Sequence, residues 1–265
     1  MNRQFLEETM ACMSWPEVER LAGENALVLL PLGVMEEHGP HLCLGTDILV
    51  ARMHCLRLRE KLEARGCPAC IAPPFYWGVC QSTGGFPGSF QIRRETAAML
   101  LLDILNSLAG FGFRRVLGVT GHNDIDHCLA VMDAFREAGE KTGLDARFVF
   151  DRERLSPFGL DWDAPFLCVV EPPRAAASRA AVPDVHAGDV ETALIHGYDP
   201  RLADAEKAKA LPPVELHEPE KWLFGGQIRE LSPQGYLGAP AEFESVDTEL
   251  FLEDYAERIL EGLAL

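Results

Sequence analysis

The chain has 265 residues, of which 48% are hydrophobic and 25% are charged, and this composition is typical of a folded globular protein and excludes a disordered one. Its 41 acidic residues against 24 basic ones give a formal net charge of -17 at pH 7, which repels nucleic-acid phosphates and anionic lipid surfaces. Length and charge therefore predict one domain over residues 1–265, without nucleic-acid or membrane partners.

The start of the chain lacks the basic residues and the apolar core of a secretory signal, and no apolar run approaches the ~18 to 20 residues of a membrane-spanning helix. The eight cysteines are irregularly spaced, which favours free thiols in a reducing compartment over a disulfide framework. We therefore expect a cytoplasmic protein in which the pairing of Cys67 with Cys70 as a CxxC motif is a chance occurrence.

Strand and helix patterns alternate along the first part of the chain. The apolar run at 26–30 ends at Pro31 and predicts a strand buried on both faces, and the segment 47–63 follows it with apolar residues at helical spacing. The further predicted elements are strands at 69–72, 115–119 and 146–150 and helices at 95–108, from the residues after 126 to 138, and at 250–263.

This order of elements predicts an α/β fold with parallel strands and with helices on both faces of the sheet. Ligand sites in such sheets lie beyond the carboxyl ends of the strands. Between residues 152 and 184 the pattern breaks into prolines and a run of alanines, and we interpret this segment as a lid or an oligomer contact.

The connection after the first strand is rich in ligand-type residues: Pro31-Leu-Gly-Val-Met-Glu36-Glu-His38-Gly-Pro-His41-Leu-Cys-Leu-Gly-Thr-Asp47. Side chains two apart in an extended chain share a face, so Glu36 and His38 could reach one cation. Asp47 has two oxygens and could hold two ions at once. Taken alone, Asp47 is explained as well by a helix cap and Glu36 by a solvated charge. A metal site is favoured because the mixed set of His and carboxylate residues recurs downstream.

A second polar cluster, Thr-Gly-His122-Asn-Asp124-Ile, follows the strand at 115–119 and places His and Asp at another strand end. A histidine in such a loop is as often a structural residue as a ligand, but His122 is favoured as a ligand by the first cluster. Asp124 is explained equally well as a ligand and as the cap of the next helix.

A third polar cluster, Asp-Val-His186-Ala-Gly-Asp-Val-Glu191, leads into an apolar helical pattern. Taken alone, Glu191 would be a first-turn acid that interacts favourably with the helix dipole, and His186 would be a surface loop residue. Beside the other two clusters, both become candidates for the same site.

These motifs resemble those of the creatininase family, creatinine amidohydrolases and their relatives, which carry the pattern G-x-x-E-Q-H-G-P-H-L-P-L-x-T-D. The chain is similar to this pattern from Glu36 to Asp47, with Glu37 in place of Gln. Its F-P-G-S, H-A-G-D-V-E-T and G-Y-L-G-A-P segments resemble the family's F-P-G-T, H-A-G-E-x-E-T-S and G-x-x-G-D-P segments. The resemblance covers nearly the whole chain.

The resemblance implies a three-layer α/β/α domain in a homo-oligomer, commonly a hexamer, and two divalent ions per chain, zinc or manganese with iron as a further option. The implied ligands of one ion are Glu36, Asp47 and His122. His38 and the shared Asp47 would hold the other ion. Its remaining ligand would be Asp124, which stands where creatininase has a glutamate, or Glu191.

The departures from creatininase fall where substrate would bind. The tryptophan before the histidine that matches His186 is replaced by a Pro-Asp-Val segment, and the loop that often runs G-x-S-x-x-H in relatives lacks its serine and histidine. We therefore expect a small-molecule substrate other than creatinine, with Cys80, Ser82, Asn123 and Asp184 as the candidate substrate-binding residues.

The resemblance implies a metal-dependent hydrolase that opens a small cyclic amide or a related C–N bond. Two ions that share Asp47 would lower the pKa of a water toward neutrality, and the catalytic side chains would be His186 and Glu191. A second interpretation keeps the site but assigns it a polyhydroxylated cyclic ketone or sugar-like ring. A third is a degenerate relative that binds metal without catalysing a reaction.

Overall fold

The computed structural model describes residues 6–152, 163–171, 177–217 and 228–265. The strands of the described ranges are β1 (Leu27–Leu32), β2 (Ala69–Ile71), β3 (Arg115–Thr120), β4 (Asp145–Asp151) and β5 (Leu167–Val170). The α-helices are α1 (Trp15–Gly23), α2 (Thr46–Ala64), α3 (Arg94–Gly110), α4 (Ile125–Thr142), α5 (Asp189–Tyr198), α6 (Ala205–Lys209), α7 (Ile228–Leu231) and α8 (Thr248–Gly262). Short 3-10 helices span Met10–Cys12, Pro200–Leu202 and Pro240–Ser245.

The strands form one parallel sheet in the order β2-β1-β3-β4-β5. In its register, Leu27 lies opposite Ala69 on one side and opposite Arg115 on the other. The chain therefore leaves β1 toward one edge of the sheet and returns to β1's other side for β3. The carboxyl ends of β1 and β3 flank this reversal of strand order, which is where ligands bind in open α/β sheets.

Alternate residues of β1 pack on opposite faces of the sheet, as the two-residue repeat of a strand requires. Val28 and Leu30 belong to an apolar cluster with residues of α3 and α4, whereas Leu27 and Leu29 belong to a cluster with residues of α2 and α8. The predicted three-layer α/β/α fold with a parallel central sheet is confirmed. None of the helices in the described ranges is both long and apolar enough to cross a membrane.

The elements that were predicted from the sequence are present, with ends that differ by a few residues, but helices α1, α6 and α7, strand β5 and the short 3-10 helices were missed. Helix α1 has a signal in the sequence, because Ser14 and Glu17 form an S-x-x-E capping motif. In the structure, Glu17 accepts the backbone N–H of Ser14 at 2.7 Å. Strand β5 lies inside the segment 152–184 that was interpreted as a lid or an oligomer contact. Leu167–Val170 are not part of a lid, because these residues pair with β4, whereas an oligomer contact stays a prediction; residues 153–162 and 172–176 of the segment lie outside the described ranges.

His54 on α2 is buried against the rings of Tyr255 and Phe251 on α8, at 4.3 and 5.7 Å between centroids. Burial, with a smaller effect of the Arg258 charge, lowers its pKa from 6.5 to about 3. Below pH 6.5 the unfolded chain therefore binds a proton at His54 that the folded protein does not, so this residue makes the protein less stable as the pH falls from 6.5 toward 3 and has no such effect above 6.5.

We predict that His54→Phe removes this acid sensitivity. The quantity to compare is the free energy of unfolding of the wild type minus that of His54→Phe. This difference should fall by about 2 to 3 kcal/mol between pH 7.5 and 4.5, because it changes by about 1.4 kcal/mol per pH unit below 6.5. Urea titrations of both proteins at the two pH values measure this difference. A difference that does not change with pH would contradict the burial of a neutral His54.

Candidate metal centre

Two glycines let the ends of β1 and β3 approach the start of α2. A Cβ at Gly33, just after β1, would lie 2.9 Å from the backbone nitrogen of Ile48, and a Cβ at Gly121, just after β3, would lie 2.3 Å from the carbonyl oxygen of Asp47. Any larger residue would push the helix away. The first turn of α2 therefore packs against both strand ends and brings Asp47 between the polar segments that follow them.

Asp47 lies between two histidines and offers one oxygen to each. Its Oδ1 is 3.1 Å from Nε2 of His38, and its Oδ2 is 3.3 Å from Nδ1 of His122. His122 Nδ1 is also 2.9 Å from Oε1 of Glu36, and His38 Nε2 is 3.9 Å from Oε2 of Glu191. Residues from three distant parts of the chain thus meet around a single carboxylate.

In His38 and His122, the ring nitrogen that points away from Asp47 faces a backbone carbonyl group. Nδ1 of His38 lies 3.2 Å from the carbonyl oxygen of Glu36, and Nε2 of His122 lies 2.9 Å from that of Val79. A carbonyl oxygen only accepts hydrogen bonds, so each of these nitrogens carries the proton. When the ring is neutral, as in a metal-bound histidine, its other nitrogen has a lone pair that faces the carboxylates.

His186 is held in the same way. Its Nε2 lies 2.9 Å from the carbonyl oxygen of Glu37, and its Nδ1 lies 4.0 Å from Oε1 of Glu36. Its ring centroid is 4.4 Å from that of His38. The reactive nitrogen of His186 therefore faces the same centre as the two other imidazoles.

The electrostatics of the centre fit divalent cations. Burial raises the pKa of Asp47, but the charges of His38 and His122 outweigh this effect and hold the pKa below its usual range. Burial lowers the pKa of His122, but Glu36 and Asp47 raise it well above its ordinary value. The carboxylates thus favour positive charge at the imidazoles, and a bound metal ion would take the place of that proton.

The donor atoms also fit. Three sets of ligand-type atoms lie within 4.8 Å of one another among the described residues: Glu36, Asp47 and His122; His38, Asp47 and Glu191; and Glu36, His38 and His186. Oδ2 of Asp47 is buried and accepts no hydrogen bond from the described residues. A buried carboxylate oxygen is costly unless it is paired or coordinates a metal. Imidazole and carboxylate donors without thiolates suit zinc, manganese or iron.

Asp124 and Glu191, the two candidates for the last ligand, differ in their surroundings. Asp124 caps α4, since its Oδ1 accepts the backbone N–H groups of Asp126 and His127 at 3.0 and 3.3 Å, and its Oδ2 accepts that of Gln81 at 2.9 Å. It belongs to none of the three ligand sets. Glu191, in the first turn of α5, belongs to the set with His38 and Asp47, and the geometry favours it.

The predicted substrate-binding residues occupy different places. Ser82 and Asn123 line a cavity of about 40 Å³ over the ligands, together with Asp124 and His186. Cys80 lines neither this cavity nor the larger one beside it, and burial raises the pKa of its thiol to about 12. Such a thiol is an inert structural group at neutral pH.

Asp184 acts mainly as the cap of α5. Its carboxylate accepts the backbone N–H groups of Gly188, Val190 and Glu191 at 3.1, 2.8 and 3.1 Å. Burial and the neighbouring Glu191 charge raise its pKa to about 7. Asp184 also lines the larger cavity, so its contact with a substrate remains a prediction.

Sequence reasoning missed the groups that hold the ligands in place. The hydroxyl of Thr83 donates a hydrogen bond to Oε2 of Glu36. The carbonyl groups of Val79 and Glu37 fix the rings of His122 and His186. A carbonyl group has no sequence signal, and Thr83 was marked only by its place in the loop that contains Cys80.

Comparison with known proteins relates most of this chain to one family. The sequence profile of one family, Creatininase (creatinine amidohydrolase), matches residues 11–263. The chain is 32% identical to creatinine amidohydrolase of Pseudomonas putida over 116 residues, which are 42% of this chain and 43% of that protein. It thus matches less than half the length of that relative.

Longer matches are found with two other hydrolases. The mycofactocin precursor peptide peptidase of Mycolicibacterium smegmatis is 31% identical, over 84% of this chain and 78% of that protein. The 3-dehydro-scyllo-inosose hydrolase of Thermotoga maritima is 22% identical, over 95% of this chain and 82% of that protein.

The fold is similar to that of solved creatininase structures. A tryptophan-to-phenylalanine mutant of creatininase, described as type II, aligns with a TM-score of 0.71 and 22% identity, over 96% of both chains. A structure described as creatininase Mn aligns with a TM-score of 0.66 and 21% identity, over 97% of this chain and 96% of that one. A glutamate-to-glutamine mutant described as Zn-Zn type aligns with a TM-score of 0.66 and 23% identity, over 97% and 95%.

Proposed function

The chain belongs to the creatininase family of metal-dependent hydrolases, and we propose that it hydrolyses a C–N bond of a small amide other than creatinine, using two divalent ions per chain. The observation that carries the proposal is the position of Asp47, with one carboxylate oxygen toward His38 and the other toward His122. We further propose that the enzyme is a homo-oligomer, as the family resemblance implies, and that it is cytoplasmic, as the irregular spacing of its cysteines favours.

Each ion position has its own ligands around the shared Asp47. Glu36 and His122 would complete the first position, and His38 and Glu191 the second. The names of two similar structures, creatininase Mn and Zn-Zn type, support zinc or manganese. Divalent ions bound there would supply Lewis acidity, which polarises a carbonyl group and lowers the pKa of water toward ~7.

We assign His186 the proton transfer to the leaving nitrogen. Because its Nε2 is occupied by the carbonyl group of Glu37, a transferable proton would be carried at Nδ1, which faces the centre. His186 also lines the small cavity over the ligands, where the scissile bond would lie. This is the geometry that a general acid needs.

We predict that His186→Gln lowers kcat by about 10² to 10⁴-fold, the range typical of a lost general acid, without changing the metal content. The glutamine amide can keep the hydrogen bond to the carbonyl group of Glu37 but has no group in place of Nδ1. Steady-state kinetics and elemental analysis of the same preparation measure both quantities. Loss of one ion per chain would instead make His186 a ligand, in the set that it forms with Glu36 and His38.

A second candidate function is the opening of a polyhydroxylated cyclic ketone, supported by the similarity to the inosose hydrolase and by the polar Ser82 and Asn123 beside the centre. A panel of lactams, formamides, dipeptides and cyclic polyhydroxy ketones separates the two functions, because only the first three release an amine. A chain that binds metal but turns over no member of the panel would support the degenerate relative instead.

A further inference from the structure

The space directly over the ligands is too small for a whole substrate. This cavity measures about 40 Å³, enough for a few water molecules at ~10 to 15 Å³ each. Beside it lies a second cavity of about 500 Å³, between α2, α5 and α8. Cavities of ~300 to 1,000 Å³ are typical of small-molecule sites. Of these two cavities, the second has room for the bulk of a substrate and the first does not.

The two cavities share part of their walls. Gly121, Asn123, Val185 and Glu191 line both of them. Glu191 also lies at the second ion position, with its Oε2 3.9 Å from Nε2 of His38. A group attached to a bond that lies over the ligands could therefore extend past Val185 into the larger cavity without a change of the backbone.

Among the described residues that line the larger cavity, no cationic side chain is left without an acidic partner. Its apolar walls include Val50, Leu194 and Phe251. Its one cationic side chain, Arg258, is buried, donates to the carbonyl group of Glu171 at 2.7 Å and pairs with Asp151 at 3.2 Å. An uncharged group fits such a surface, whereas an acidic group would lose its hydration without gaining a cationic partner.

The remaining titratable groups around the cavity lead to the same conclusion. Arg258 also pairs with Asp254 at 3.2 Å through its Nε. His54 is neutral at pH 7, because burial lowers its pKa to about 3. The carboxylate of Asp184 is occupied by the backbone N–H groups at the start of α5. The Glu191 carboxylate would repel an acidic group at the mouth of the cavity.

We propose that the 500 Å³ cavity is a substrate subsite that binds an uncharged, largely apolar side group attached next to the scissile C–N bond. The inference rests on the proposed function and adds the substrate class to it: an amide with a bulky apolar substituent, such as a peptide with an aromatic residue, rather than a bare small ring.

Dipeptides that differ in a single side chain provide the test. The set is Gly-Gly, Gly-Phe, Phe-Gly, Gly-Glu and Glu-Gly, assayed with the zinc- or manganese-loaded enzyme. We expect phenylalanine on one side of the bond to raise kcat/KM at least about tenfold over glycine, and glutamate at the same place to lower it. Equal values for phenylalanine and glycine at both places would overturn the inference.

Narrowing the mouth of the cavity should remove this preference. Val185 is 38% exposed and can accept a larger ring without overpacking, so Val185→Trp is expected to bring the phenylalanine-to-glycine ratio of kcat/KM close to one. Asn123→Phe narrows the same mouth from another wall and is expected to act in the same direction. Leu100→Trp on the outer side of α3, at a residue that is 42% exposed, is the matched control and should keep the wild-type ratio.

The outcomes separate the inference from the proposed function. If the wild type releases amine from none of the dipeptides, lactams or formamides, the proposed function fails and the inference fails with it. If lactams or formamides are hydrolysed but a bulky apolar group brings no gain, or if both mouth variants keep the wild-type ratio, only the subsite is wrong.

Discussion

Asp47→Asn is expected to remove both metal ions and to lower kcat/KM by at least about 10³-fold, the scale of loss found when one member of a catalytic unit is deleted. Asparagine keeps the shape of the side chain but has one neutral oxygen in place of two charged ones. In asparagine, one of the two positions, Oδ1 near His38 or Oδ2 near His122, becomes an NH2 group, which cannot bind a metal ion. Both ion positions depend on this carboxylate, so one substitution should affect both.

Elemental analysis of the purified variant, together with the amide assay, measures the two effects. Asp133→Asn is the matched control, because Asp133 pairs with Arg94 at 2.7 Å on the outer side of α4 and lies outside all three ligand sets. That variant should keep wild-type metal content and activity. An Asp47→Asn protein with unchanged metal content would refute the shared role of Asp47.

Glu191→Gln is expected to lower the metal content from two ions per chain to one and kcat/KM by at least about 100-fold. The reason is that Glu191 belongs to the ligand set at His38, whereas Glu36 and His122 form the other position with Asp47. Replacement of the carboxylate by an amide removes a charged ligand from the second position alone. A first ion should therefore remain.

Asp124→Asn distinguishes between the two candidate ligands. Asparagine is as good a helix cap as aspartate, because its amide oxygen can still accept the N–H groups of Asp126 and His127, but its NH2 group cannot accept the N–H of Gln81 that Oδ2 of Asp124 accepts. Because Asp124 lies outside the three ligand sets, this variant should keep two ions and its activity, with a lower free energy of unfolding from the lost bond to Gln81. If Asp124→Asn lost one ion and Glu191→Gln kept two, the second position would belong to Asp124.

Much of the fold could be predicted because the relevant signals are local. The fully apolar run at β1 predicts a strand with both faces covered, and the alternation with amphipathic helices predicts a parallel sheet. The short strand β5 was missed because its four residues lie among prolines in a segment without periodicity. Whether such a run joins a sheet depends on the neighbouring strand β4, which a local pattern does not contain.

The candidate site could be located from the sequence but not completed. Glu36, His38 and Asp47 lie in one long motif, and strand-end geometry brings His122 to the same edge of the sheet. The choice between Asp124 and Glu191 depends on contacts that only the folded loops determine: both oxygens of Asp124 accept backbone N–H groups, whereas Glu191 accepts that of Ala187 at 2.6 Å through one oxygen. Residue types at a given spacing do not contain this information.

The large cavity beside the site had no sequence signal at all. Its walls come from α2, α5 and α8, so that Val50 and Arg258 face the same space although they lie far apart in the chain. Such a cavity depends on how helices diverge from the sheet. Of the polar residues that were predicted to bind substrate, Ser82 lines the small cavity, Asn123 lines the mouth that the two cavities share, and Asp184 lines the large cavity.

Anomalous diffraction from crystals of the manganese-loaded protein tests the shared carboxylate most directly. The expected map has two manganese peaks, one within bonding distance of Asp47 Oδ2, Glu36 and His122, and the other within bonding distance of Asp47 Oδ1, His38 and Glu191. A single peak, or two peaks of which one does not contact Asp47, would contradict the two-ion centre.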